Sequence, residues 1–209
     1  MKDLQKKQTD LSVFKWFLYI CSMKHSEVKN RITETASFLF YKNGYNSTGI
    51  NQIIAEAGIA KATLYSHFKS KEEICLAYLQ YKNINFLEDF EKFTTSKSKG
   101  KNQILAIFDF LQLFYQDKDF NGCWCIKTVS EIPKDNELIR QEIQSQKNNF
   151  ISLITKLITN NLENIKNEQI SSLARQIYLL YESAVGESHL HQEDWPIIES
   201  KNLCEKIIA

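Results

Sequence analysis

Residues 44–71 read GYNSTGINQIIAEAGIAKATLYSHFKSK, and this stretch decides the fold. Ile50, Ile53, Ile54 and Ala57 fall at i, i+3, i+4 and i+7, one apolar face at helical period. Gly58 follows, where a helix end needs a left-handed residue, and Ile59 returns the chain to the core. Leu64 and Phe68 then anchor a second short helix at i and i+4. Its other faces are left to Lys61, Ala62, Thr63, Tyr65, Ser66 and His67. A short helix pinned by two apolar residues and presenting cationic, hydroxyl and aromatic groups suits insertion into a major groove.

On the N-terminal side, Ser26 is placed to cap a helix with Glu27 in its first turn. Val28, Ile32, Thr35, Ala36, Leu39 and Phe40 form its buried stripe, and Asn43-Gly44 ends it. Either hydroxyl of Ser47-Thr48 can cap the next helix, whose N-terminus is a natural phosphate site. On the C-terminal side a helix starts after Ser70. It runs through Ile74, Tyr78, Tyr81, Phe86 and Phe90 to about residue 93.

The segment AEAGIAKATLYSHFKSKEEI, residues 55–74, resembles the N-terminal signature of the TetR/AcrR family of transcriptional regulators. The resemblance extends over roughly residues 26–80. It implies an all-α chain with a three-helix helix-turn-helix head and a larger helical body that binds ligand and dimerises. The expected division is an extension over 1–25, a DNA-binding domain over 26–72 and a ligand-binding and dimerisation domain over 73–209. The resemblance assigns Lys61 and Thr63 to base or phosphate contacts, and Tyr65 and His67 mainly to the phosphate backbone. Thr48 and Lys71 match phosphate contacts at helix N-termini, and Ala62 belongs to the same DNA-binding face. Many members carry Ser or Thr where this chain has Ala60, so a capping hydroxyl worth about 1 kcal/mol is missing here.

Composition agrees with a helical chain: two prolines and six glycines in 209 residues leave long helices uninterrupted. The net charge of +1 hides an asymmetry, since residues 1–73 carry 11 Lys/Arg against 7 Asp/Glu and the remainder 15 against 18. A basic front and an acidic back fit a DNA-contacting head on a ligand-binding body. Five cysteines, odd in number and widely spaced, form no disulfide framework and suit a reducing cytoplasm.

Residues 1–25 stand apart. The apolar run LSVFKWFLYICSM, residues 11–23, is shorter than the ~20 residues a membrane helix needs. The reading favours residues 1–22 as an extension, with Met23 an equally serviceable start, over an added functional helix or a membrane anchor. In the body, residues 103–116 read as a strongly apolar helix, 123–132 as a short buried one stopped by Pro133, and 136–160 as a long helix capped by Asp135. The stripe of that long helix includes Leu138, Ile139, Ile143, Phe150, Leu153, Ile154, Leu157 and Ile158. Residues 167–190 contain IYLLY, Ile177–Tyr181, apolar all round, which needs cover on every side. A second subunit is the simplest cover for one face, so the last two helices are expected to form a four-helix bundle across a two-fold axis.

Phe86, Phe108, Trp124, Thr128, Phe150, Tyr178 and Glu182 are the candidate lining of a pocket for a small apolar or aromatic ligand. Core packing is the competing reading of each aromatic residue. Cys123-x-Cys125 reads as two small buried apolar residues or as a thiol sensor; its spacing and the scattered histidines do not suggest a metal site. No cofactor is implied, and no phosphate loop, nucleophile elbow or HExxH motif suggests an enzyme. The expectation is a cytoplasmic homodimeric repressor that binds double-stranded operator DNA and is released by a ligand, without a membrane partner. The alternatives are a thiol redox sensor on the same scaffold and a helical binding protein that has lost its DNA affinity.

Overall fold

The computed structural model describes residues 26–163 and 165–209, among which there are nine helices and no strand. The expectations for residues 1–25 lie outside the described residues. Helix α1 covers residues 26–43, followed by α2 (Ile50–Glu56) and α3 (Lys61–His67). The body contains α4 (Lys71–Thr95), α5 (Lys101–Tyr115), α6 (Trp124–Glu131), α7 (Glu137–Asn161), α8 (Asn167–His191) and α9 (Trp195–Ile207).

The head closes as its apolar spacing dictates. Ile32, Ala36, Leu39 and Phe40 of α1 meet Ile53 of α2 and Leu64 and Phe68 around α3. Gly58 turns the chain at φ +60°, a conformation that costs a glycine little. The Ser70 hydroxyl accepts from the Glu73 N–H at 3.2 Å and starts α4 sharply. Two caps differ from expectation. Gly49, not Ser47 or Thr48, is the N-cap of α2 and offers no side-chain bond. Asn136, not Asp135, caps α7 by accepting from the Ile139 N–H at 3.2 Å.

The head does not stand on a stalk. Its core continues through Ile74, Cys75, Tyr78 and Leu79 of α4 into Trp124 and Cys125 of α6 and Ile139 and Ile143 of α7. Glu131 of α6 adds polar ties to the loop after α1. Its carboxylate accepts from the Asn46 N–H at 2.7 Å, and its carbonyl from the Asn46 side-chain amide at 2.9 Å. Gly44, at φ +94°, leaves the space that the Glu131 carboxylate fills. A side chain at position 44 would collide with it.

The second core belongs to the body. Ile104, Ile107, Phe108 and Leu111 of α5 pack with Phe90 of α4, Phe150, Ile154 and Ile158 of α7, Ile177 and Tyr181 of α8 and Ile197 of α9. On α7 the expected stripe holds except at Leu138, which is 66% exposed. It falls on the outer face of the helix with Gln141 and Ser145, while its neighbour Ile139 is fully buried. The all-round apolar centre of α8 divides as its period requires: Ile177 and Tyr181 are buried, while Leu179 is 64% exposed. Leu190 of α8 and Ile198, Leu203 and Ile207 of α9 are exposed as well.

Candidate nucleic-acid interface and ligand chamber

Helix α3 is short because its apolar content is short: Leu64 is fully buried and Phe68, just past its end, nearly so. That anchoring turns Lys61 and Ala62 outward, leaves Tyr65 46% exposed, and holds Thr63 and His67 half-buried at the sides. The Ser66 hydroxyl donates back to the Thr63 carbonyl at 2.7 Å and is spent within the helix. Ala60 is the N-cap and contributes no side-chain bond, as expected of its missing hydroxyl. Lys71, at the start of α4, lies half-buried with its ammonium 4.3 Å from the Tyr45 ring centroid, and burial lowers its pKa. Thr48 does not belong with this group. It is 0% exposed, and its hydroxyl faces the Leu39 carbonyl at 3.2 Å and the Gly44 carbonyl at 2.8 Å. It ties the end of α1 to the following loop and presents nothing to a phosphate.

In the body, a chamber lies where α4, α6, α7 and α8 meet, and its cavity is about 30 Å³. That is room for about two waters. Phe86 sits at its aromatic centre, with ring centroids of Phe150 at 5.2 Å, Trp124 at 5.3 Å and Tyr181 at 6.4 Å. Of the expected lining, Phe86, Trp124, Phe150 and Glu182 are present. Phe108 is fully buried in the body core and not on the wall. Thr128 is buried in the head–body core beside Tyr78 and is not on the wall. Tyr178 faces a separate outer groove of about 640 Å³ beside α6 and α8.

The polar end of the chamber is a connected set. The Lys147 ammonium donates to Glu182 Oε1 at 2.6 Å and lies 3.1 Å from Cys123 Sγ. Cys125 Sγ donates to Gln146 Oε1 at 3.5 Å, and Gln146 donates to Glu142 Oε1 at 2.7 Å. The neighbouring Cys125 thiol, and then the Lys147 charge, hold Cys123 below the ordinary thiol value. The Cys123 side chain and burial push Cys125 up. Burial opposes the charge on Lys147, but Cys123 and Glu182 outweigh it and raise its pKa. Burial first, and then Cys123, push Glu182 up to about 7. Of the two thiols, Cys123 is the one that lies against the Lys147 ammonium.

Residues 32–78, from the middle of α1 into α4, match the family described as "Bacterial regulatory proteins, tetR family". That region belongs to the TetR family. Among curated relatives of the chain is the "Fatty acid metabolism regulator protein" of Bacillus subtilis (strain 168). The two are 27% identical over 150 residues, 70% of this chain and 75% of the relative. The HTH-type transcriptional regulator YerO of the same strain is 34% identical over 119 residues, 54% of this chain and only 39% of YerO. Among solved structures, the reduced form of Escherichia coli NemR superposes with a TM-score of 0.77. It is 21% identical and covers 87% of this chain and 97% of NemR, a likeness of fold.

The sequence reading missed Lys147 and Gln146 as chamber residues. Gln146 and Lys147 fall between Ile143 and Phe150 on the buried side of α7. Polar residues inside an apolar stripe were the available signal. A buried lysine needs a counter-charge, and Glu182 is the acid that follows the apolar run of α8.

Proposed function

We propose that this protein is a homodimeric transcriptional repressor that binds double-stranded operator DNA and releases it when a small molecule enters the body. The carrying observation is the exposed Lys61–Ala62–Tyr65 face of α3, presented from a helix whose other side is locked by Leu64 and Phe68. In this reading residues 26–72 are the DNA-reading unit and residues 73–209 the ligand and dimer unit. Lys61 and Thr63 meet bases or phosphates, and Tyr65, His67 and Lys71 meet the backbone. Two heads about 34 Å apart would enter successive major grooves. The exposed apolar residues of α8 and α9 support a subunit interface there. Phe86, Trp124, Phe150 and Glu182 would meet the ligand. The chamber must open for it, because ligand sites usually measure about 300–1,000 Å³. Among the described residues no helix is long and apolar enough to cross a membrane, and we place the protein in the cytoplasm on the strength of its DNA-binding role. No catalytic role is proposed.

Fluorescence anisotropy against DNA from the gene's own upstream region, at two salt concentrations, tests the reading. Saturable binding should survive competitor DNA, weaken with salt, and fail in a Lys61→Ala/Tyr65→Ala variant. Weak binding that ignores sequence and both substitutions would sink it.

A second reading, release by thiol chemistry, has one specific support: the Lys147 ammonium lies 3.1 Å from Cys123 Sγ. It expects Cys123→Ser to abolish oxidant-induced release while operator affinity stays unchanged. A Cys123→Ser protein that still releases DNA on oxidation would exclude it.

A further inference from the structure

A groove of about 420 Å³ runs between α1 of the head and α4, α5 and the α5–α6 turn of the body. It shares the wall of Phe86, Phe114 and Trp124 with the chamber but opens outside it. Its floor is rigid. The Tyr41 hydroxyl donates to the Gly122 carbonyl at 3.0 Å and accepts from the Asn121 N–H at 2.8 Å, so the ring cannot swing away. Among the described residues, the carboxylates of Glu34, Asp89, Asp117 and Asp119 line the groove against one ammonium, that of Lys82.

Lys82 shows what the floor accepts. Its ammonium lies 4.2 Å from the Tyr41 ring centroid and 5.7 Å from that of Trp124. The faces of these rings attract a cation, more strongly once it is desolvated. Trp124 is 8% exposed, and its buried indole N–H has no acceptor among the described residues. It is a donor at the inner wall that an occupant's acceptor atom could satisfy.

We propose that this groove is a binding site for a small organic cation with an aromatic or apolar body, its positive group taking the place of the Lys82 ammonium over Tyr41 and Trp124. The volume lies within the range of small-molecule sites. The carboxylates attract cations and repel anions. The fixed Tyr41 ring reduces the ordering cost of binding. The chamber is the poorer site for such a molecule, since its own charges, Lys147 and Glu182, are already paired at 2.6 Å. The groove's walls come from both head and body, so an occupant would bear on both. That regulatory consequence rests on the function proposed above; binding itself does not.

Calorimetry on the full chain tests it, with benzyltrimethylammonium and its neutral isostere neopentylbenzene. The cation should bind about tenfold more tightly than the isostere and weaken as salt rises. Asp117→Asn/Asp119→Asn, in an exposed turn, should weaken it severalfold. Lys82→Met should strengthen it, because the tethered ammonium no longer competes. Tyr41→Phe, which keeps the ring face, should retain binding. Equal binding of both compounds, no binding of either, or weaker binding in Lys82→Met would overturn the site. If the cation binds as described but operator affinity in the anisotropy assay stays constant, the site stands and release through it is excluded. If binding fails while another compound releases operator, the function stands without this site.

Discussion

Thr48→Val separates a structural role from a DNA-contacting one. Valine keeps the shape of threonine and removes only the hydroxyl, so no cavity forms. That hydroxyl is 0% exposed and bridges the Leu39 and Gly44 carbonyls at 3.2 and 2.8 Å. One hydrogen serves both acceptors, so the loss is one shared bond. A net hydrogen bond contributes about 0.5–1.5 kcal/mol, and a buried group left without its partner costs about 1–3 kcal/mol. The expected loss is therefore about 1–2 kcal/mol. In a chain of this length each kcal/mol moves Tm by about 2–4 °C, which gives a fall of about 2–8 °C. Thermal unfolding followed by circular dichroism reads that value. Operator affinity, measured well below the transition, should stay within about twofold, since a twofold change is under 0.5 kcal/mol. An unchanged Tm together with a large loss of operator affinity would refute the assignment and return Thr48 to the phosphate-contacting set.

The other predictions concern the cap, the chamber and the dimer. Ala60→Ser should add about 1 kcal/mol, because position 60 already has the extended N-cap geometry, φ −75° and ψ 151°; an unchanged or lowered Tm would contradict it. Glu182 holds its proton more tightly folded than unfolded, with its value raised from 4.5 to about 7. Its contribution to stability is thus complete below pH 4.5 and lost as pH rises to 7. Glu182→Gln should flatten the decline of Tm across that window, and an identical slope in both proteins would disprove the raised value. Leu179→Asp places a charge on the exposed apolar side of α8. Light scattering after size exclusion should show the dimer becoming a folded monomer, and a dimer that persists at low concentration would move the interface elsewhere.

The head was legible from sequence because its signals are local. The period of Ile50, Ile53 and Ala57, the turn at Gly58, the anchors Leu64 and Phe68 and the Ser70 cap each act within a few residues. Thr48 was misjudged for a tertiary reason. Whether its hydroxyl faces solvent or the end of α1 depends on how the loop folds back, which no periodicity encodes. The chamber was half legible for the same reason. Phe86 and Phe108 are equal as sequence, but only the rotation of α4 and α5 in the assembled body turns the first toward the void and the second into the core. The pairing of Lys147 with Glu182 joins residues 35 apart in sequence and appears only when α7 and α8 pack. Asp135 and Asn136 are both good capping residues, and sequence alone could not choose between neighbours.

The geometry also bears on how an occupant of the body could reach DNA. The direct connection between head and body is α4, the helix that leaves the head. The structure adds a second connection beside Cys123. Asn121 and Gly122, next to Cys123, hold the Tyr41 hydroxyl, and the Asn121 amide and the Lys127 ammonium donate to the Tyr41 carbonyl at 2.7 and 2.8 Å. At about 1 kcal/mol for each bond, this clamp on the end of α1 is worth about 3–4 kcal/mol. Moving a two-state equilibrium from 1:99 to 99:1 takes about 5.5 kcal/mol of differential affinity. The clamp alone falls short of that. An occupant that opens the chamber at Phe86 of α4 and displaces the 121–123 segment would act on both connections. Phe86 and Cys123 line the same cavity. One molecule entering it would push on α4 and on the clamp together.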